Sequence, residues 1–227
     1  MNTEPMSSED EEASVSRETL ASIFGDDEER IRQAEDYTGL LRTAGIERGL
    51  IGPREVPRLW GRHVLNSAVV GELIESEADV LDVGSGAGLP GIPLAIARPD
   101  LWVTLVEPMQ RRVVFLEEVI DALGIGNVEV LRARAEEVDP RGKADVVVSR
   151  AVAPLGKLSR WCLPLAKIEG TMLAIKGRSA AEEIERDAAQ IRKAGGGRAT
   201  VLECGRRKLA PPVFAVPATV VRIRRIR

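Results

Sequence analysis

Four glycines fall within eight positions, Gly84, Gly86, Gly88 and Gly91, directly after the run Val80-Leu81-Asp82-Val83. A short apolar run bounded by turn residues is how a strand buried on both faces of a parallel sheet reads. The glycines let the backbone turn through positive φ and let a ligand approach closely, because no Cβ intervenes. The helix that follows aims its unpaired N–H groups and the positive end of its dipole at whatever lies over the loop. The chemistry on offer is the gripping of a nucleotide or cofactor. A dinucleotide fingerprint asks for glycine at its first, third and sixth positions. Counted from Gly84, the sixth position is Leu89, which argues against a dehydrogenase. No lysine followed by Ser or Thr closes the loop, which excludes a Walker-type phosphate loop. A second group sits 25 positions after Asp82: Glu107 ends the run Trp102–Val106. An acid at the end of the second strand is placed to accept hydrogen bonds from both ribose hydroxyls of an adenosine.

Positioning these groups takes alternating strands and helices. Val80–Val83, Trp102–Val106, Val128–Leu131 and Asp145–Ser149 are predicted as the first four strands, with helices at Ile92–Ala97 and Gln110–Leu123. Pro154–Leu165 reads as the helix before a fifth strand, Thr171–Ile175, and a charged helix over Ala180–Ala194 ends at Gly195-Gly196-Gly197. Thr200–Glu203 and Thr219–Ile226, joined by a loop with Pro211, Pro212 and Pro217, are expected to pair as a hairpin at the sheet edge. The class is α/β: a Rossmann-like, mostly parallel, seven-stranded sheet. Before it, helical spacing through Val15, Leu20 and Ile23 precedes a helix from about Asp26 to Ala44. A third stretch, roughly Val56–Glu75, brings Trp60, His63, Leu65 and Asn66 up to the glycine loop. The expected organisation is an acidic disordered tail over 1–14, a helical extension over 15–76 and the sheet domain over 77–227.

The chain has 227 residues, 44% of them hydrophobic, enough for one α/β domain with an extension. It has no apolar run of about 18 residues, the length a membrane span needs. Its amino terminus lacks the apolar core of a signal peptide, so a cytoplasmic address is expected. Cys162, Cys204 and the single His63 show no metal-binding spacing, and no metal is expected. The net charge of −3 hides an asymmetry: residues 1–36 hold 12 acidic and 3 basic residues, and the remainder carries +6. A mildly basic body is consistent with a polyanionic partner.

The pattern Asp82-x-Gly84-x-Gly86-x-Gly88 resembles the first motif of class I S-adenosylmethionine-dependent methyltransferases. The longer run GSGAGLPGIPLAIARPD, followed by Glu107, FLEEVIDALGIGNVEVLRARAEEV and ADVVVSRAVAPL, resembles the RsmG (GidB) family of 16S ribosomal RNA guanine-N7 methyltransferases. The resemblance extends from about Ala34 to the carboxyl terminus and is strongest at Gly84–Pro93, where LPGIP sets this family apart. His63-Val64-Leu65-Asn66-Ser67 is similar to a family segment that commonly has Asp at the Asn66 position, and the acidic amino terminus lies outside the family pattern.

The resemblance implies S-adenosylmethionine as cofactor. Its contacts would be Gly84, Gly86, Leu89 and Glu107, with Ala135 and Glu136 beside the adenine and Arg150 nearby. Alone, Glu136 reads as a helix cap. The resemblance also implies 16S rRNA or the small ribosomal subunit as partner and guanine 527 in standard rRNA numbering, in the 530 loop, as target; a monomer is expected, although the sequence does not fix the oligomeric state. Loss in the family is linked to low-level streptomycin resistance. Nitrogen 7 of guanine has a lone pair and no proton, so in-line methyl transfer there needs neither a base nor a metal, only alignment. Candidates for shaping the guanine pocket are His63, Asn66 and Arg150. Arg206, Arg207, Lys208, Arg222 and Arg224 are candidates for RNA phosphates; for the β-strand pair the alternative is a charged, solvated edge. Two other functions stay open: methyl transfer to tRNA or a small molecule, and cofactor binding without catalysis.

Overall fold

The computed structural model describes residues 15–139, 144–150, 152–206, 208 and 217–227. The acidic segment 1–14, Arg207, Pro211 and Pro212 lie outside the described residues. Seven strands form one sheet in the order β3-β2-β1-β4-β5-β7-β6: β1 Asp79–Val83, β2 Trp102–Val106, β3 Val128–Leu131, β4 Ala144–Arg150, β5 Ala166–Lys176, β6 Gly196–Cys204 and β7 Ala218–Arg225. The pairs β3·β2, β2·β1, β1·β4 and β4·β5 are parallel, whereas β7 runs antiparallel to both β5 and β6. The order reverses at β1 and β4, so a crevice opens beyond their carboxyl ends, where open α/β sheets bind ligands.

Helices cover both faces because the strands are apolar on both. On one face, α1 (Arg17–Phe24), α2 (Glu28–Leu40), α4 (Gly91–Ala97) and α5 (Gln110–Leu123) bury Leu20, Phe24, Ile31, Tyr37, Leu94, Phe115 and Leu116 against Val80, Val103 and Leu105. On the other, α6 (Leu155–Cys162) and α7 (Ala180–Lys193) bury Leu155, Leu158, Cys162 and Ile191 against Leu81, Val147, Met172 and Val221. The helices before β1 thus share one core with the sheet. Local signals set their starts. Ser16 Oγ accepts the Thr19 N–H at 3.3 Å, and Asp27 Oδ1 accepts those of Glu29 and Arg30 at 3.0 and 3.3 Å.

Three expectations are corrected. The single helix expected over Val56–Glu75 is a chain of short pieces: a 3₁₀ stretch Pro53–Arg58, a π stretch Leu59–Leu65, the α turn α3 (Asn66–Ala68) and a second 3₁₀ stretch Val69–Leu73. Pro57 inside the first piece has no N–H to donate, and such wider or tighter turns re-aim side chains within a continuous coil. The helix expected to run on to Ala44 leaves α geometry after Leu40, becomes a π stretch over Leu41–Gly45 and continues for two further helical residues. The last two strands do pair, yet only β6 is at the edge. β7 lies inside the sheet between β5 and β6, and β6 starts at Gly196, within the glycines expected as a helix stop.

Candidate active site

The glycine loop is bolted to its surroundings from several directions. Gly84 and Ser85 N–H groups donate to Val106 O at the end of β2, at 2.9 and 3.3 Å, and Ser85 Oγ donates to Asp82 O at 2.9 Å. Gly84, Gly86 and Gly88 have φ of +77, +60 and +98°. At Gly86 an added Cβ would meet only Gly84 O, at 3.9 Å, so this side of the loop is open space. At Gly91 it would lie 2.2 Å from Leu105 Cδ2 and 2.8 Å from Asp82 Oδ2, so α4 packs onto β1 and β2 only because no side chain is there.

Two carboxylates serve the loop. Glu107, 1% exposed, accepts the Gly86 N–H through Oε2 and the Met109 N–H through Oε1, each at 3.0 Å, with Arg112 Nη1 3.5 Å from Oε2. It therefore braces the loop and has lone pairs left over among the described residues. Asp82 is fully buried at the end of β1, where Oδ2 accepts the Gly91 N–H at 3.0 Å and Oδ1 has no hydrogen-bond partner among the described residues. Burial pushes its pKa up to about 7, against the pull of the Gly91 hydrogen bond.

From below, the fully buried Tyr37 of α2 donates its hydroxyl to Ala87 O at 2.8 Å. The sequence reading missed this residue, although a lone tyrosine on the apolar side of a helix signals a hydroxyl that needs a partner. Tyr37→Phe leaves a buried carbonyl unpaired, a loss of about 1–3 kcal/mol. Thermal melts should show a drop of several degrees, with weaker cofactor binding in calorimetry; an unchanged melt would mean that water replaces the hydroxyl.

At the end of β4, Arg150 Nη2 lies 2.7 Å from His63 Nδ1, and its Nη1 donates to His63 O at 3.1 Å and Ser67 Oγ at 3.2 Å. On its other side His63 Nε2 is 2.7 Å from Glu55 Oε2. Burial first, then the Arg150 charge, depress the histidine pKa to about 4. Burial likewise lowers Arg150 to about 10. Asn66, next to this group in the chain, has a buried Oδ1 without a partner among the described residues. One strand over, Lys176 Nζ donates to Ala153 O and to Glu183 Oε2, both at 2.8 Å, and Glu183 accepts the Leu155 N–H, which fixes the connection between β4 and α6.

The structure thus brings Gly84, Gly86 and Glu107 together in one cluster and His63 and Arg150 together in another, on neighbouring carboxyl strand ends. Leu89 joins the hydrophobic core, so only its backbone faces the loop. Ala135 and Glu136 occupy a 3₁₀ turn after β3, half-buried and exposed respectively. Arg134 is the amino-terminal cap of that turn, and the side chain that reaches back to its N–H, at 2.9 Å, is that of Glu137, not Glu136. Arg206, ion-paired with Glu203, and the exposed Lys208 follow the carboxyl end of β6, far along the same edge. Arg222 and Arg224 are exposed on β7, as the alternation implies, but pair in register with Leu173 and Thr171 in the middle of β5, with β4 and β5 between them and β1. Arg224 is also ion-paired with Glu169 at 2.6 Å. The structure does not bring these two to the glycine loop.

A parallel sheet in this order, with one antiparallel strand, a glycine cradle after β1 and an acid closing it from β2, defines a class I S-adenosylmethionine-dependent methyltransferase. The same fold is found in the tRNA (m1A58) methyltransferase TrmI from Aquifex aeolicus, with a TM-score of 0.55 at 15% identity over 71% of this chain and 68% of that one. Relatives are much nearer in sequence. The chain is 60% identical to the ribosomal RNA small subunit methyltransferase G of Corynebacterium jeikeium, over 89% of this chain and 90% of that one. It is 57% identical to the protein of that name from Rhodococcus jostii, over 90% and 87%. The model of the GidB family, rRNA small subunit methyltransferase G, matches residues 30–210. The chain belongs to that family, and it is an S-adenosylmethionine-dependent rRNA methyltransferase. Its residues fit the cofactor: Gly86 leaves open space on one side of the loop, and Glu107, bound to the Gly86 N–H, has lone pairs left to accept from a ribose. Among the described residues no helix is long and apolar enough to cross a membrane.

Proposed function

We propose that the chain methylates nitrogen 7 of a guanine in the 530 loop of 16S rRNA, guanine 527 in standard rRNA numbering, by in-line transfer. The observation that supports this choice of atom is the state of the only histidine. Both its ring nitrogens are engaged, by Arg150 and Glu55, and it stays neutral down to about pH 4. His63 therefore has no free lone pair with which to take a proton. Nitrogen 7 of guanine asks for none, because its lone pair attacks directly. When bound, S-adenosylmethionine supplies a methyl group on a positively charged sulfur.

The chain's own residues supply position. The open face of Gly86 and the lone pairs of Glu107 hold the sugar end, Ala135 and Glu136 lie beside the purine, and Asp82, once ionised above about pH 7, sets a negative charge under the loop. His63, Asn66 and Arg150 form the wall on the guanine side. Such alignment contributes about 7–11 kcal/mol in favourable systems. Arg206 and Lys208 are our candidates for RNA phosphates, on the same edge of the sheet as the cleft.

The test is methyl incorporation from labelled cofactor into small subunits, free 16S rRNA and tRNA, followed by chemical scission at N7-methylguanine. We expect one cut, in the 530 loop, and none in tRNA. Incorporation into tRNA, or into another atom of the rRNA, would replace this reading.

A further inference from the structure

Glu55, His63 and Arg150 stand 8 and 87 residues apart in the chain, on the first 3₁₀ stretch, the π stretch and the end of β4. Their contacts fix a direction. A guanidinium carries only donors, so His63 Nδ1 must accept from Arg150, and the ring proton must sit on Nε2 and be donated to Glu55. The side chains of His63 and Glu55 are 12% and 29% exposed, and Arg62 Nη1 lies 3.4 Å from the same Glu55 oxygen. Ser67 Oγ closes the group by donating to His63 O at 2.6 Å.

We propose that Glu55 is a positioning residue for Arg150: by accepting the Nε2–H it keeps the lone pair of the imidazole on Nδ1, and so pins the guanidinium at the carboxyl end of β4. The inference rests on Arg150 belonging to the methyl-transfer site. A neutral imidazole has two tautomers, and its partners choose between them. With the proton on Nδ1, two donors would face each other across 2.7 Å, and a largely buried guanidinium would lose its contact to the ring. Arg150 starts the connection to α6 beside the glycine loop, because Val152 crowds Gly84: a Cβ there would come within 2.7 Å of Val152 Cγ2. Release of Arg150 therefore loosens the wall of the site and leaves the cradle for the cofactor in place.

The chain has one histidine, so long-range ¹H–¹⁵N correlation spectra of the full chain read its tautomer directly. We expect pure Nε2–H in the wild type and in Glu55→Gln, whose carbonyl accepts the same proton, and a mixture with Nδ1–H in Glu55→Ala. Methyl incorporation into small subunits should fall about tenfold or more in kcat for Glu55→Ala and stay within about threefold for Glu55→Gln. Cofactor affinity and melting temperature should be close to wild type in both, an outcome that a merely structural role would not give. Wild-type protein with its proton on Nδ1 overturns the proposal, even if Glu55→Ala fails to fold. So does Glu55→Ala with an unmixed tautomer and full rate, or Glu55→Gln as slow as Glu55→Ala. The spectra need no RNA, so they are decisive even if the methylated atom is not nitrogen 7.

Discussion

Gly91→Ala should give a protein that melts far lower, whereas Gly86→Ala should give one that folds and holds its cofactor at least about tenfold more weakly. The two glycines are five positions apart in one loop and differ in what surrounds them. A Cβ at Gly91 would intrude on Leu105 and on the Asp82 carboxylate, which would also lose its bond to the Gly91 N–H. Overpacking of this kind costs about 1–3 kcal/mol, and the unpaired buried N–H adds about 1–3 kcal/mol more. For a domain of this size the melting temperature should fall by roughly 10 °C or more. At Gly86 the added methyl meets no protein and only the strain of a left-handed residue applies, about 1–2 kcal/mol. It occupies the space we assign to the cofactor, so calorimetry should show affinity down by at least about tenfold with the fold intact. Wild-type affinity in Gly86→Ala would mean that this side of the loop is not the cradle.

Asp82→Asn should make the protein more stable and less able to bind. The folded carboxyl keeps its proton up to about pH 7, whereas in the unfolded chain it ionises near 3.8. The folded state therefore binds more protons between those values, and wild-type stability is lost as pH rises from 3.8 through 7. Asparagine has nothing to ionise. The variant's advantage should be close to zero below pH 4 and should grow to about 4 kcal/mol above pH 7, seen as a melting temperature roughly 10 °C higher at pH 8. His63 acts in the opposite sense: neutral down to about pH 4, it makes stability fall as pH drops from 6.5 toward 4. That contribution is common to both proteins and cancels in the difference. Cofactor affinity should fall about tenfold or more, because a buried charge that destabilises the empty loop is the one that a cationic ligand uses. A variant whose advantage over the wild type is no larger at pH 8 than at pH 4 would show that Asp82 is not raised by burial.

The sheet could be read from the sequence because its strands are apolar on both faces and are separated by turn residues. Trp102–Val106 and Val128–Leu131 match their expected bounds, and Gln110–Leu123 ends where Gly124 adopts the left-handed cap. Glycine spacing and Glu107 pointed to the loop where Gly84, Gly86 and Glu107 do meet, since that motif is local. The segment before the sheet was harder. Apolar spacing there suits one helix, but Pro57 and the π stretch break it, and this break aims His63 at Arg150. Tyr37, Glu55 and the burial of Asp82 were out of reach for another reason. Their roles depend on partners brought together by the fold: Ala87, 50 positions from Tyr37, and Arg150, 87 from His63. Of the arginines chosen for charge alone, Arg224 turned out to be committed to Glu169.

The insertion of β7 between β5 and β6 has a bearing on how the molecule is made. A chain leaving the ribosome amino end first can assemble β1 to β5 as they emerge. Strand β6 finds no neighbour until β7, later in the chain, arrives between them. A polypeptide stalled or clipped after Cys204 would possess its complete glycine cradle and still expose two bare hydrogen-bonding rims, on β5 and on β6, each a template for aggregation.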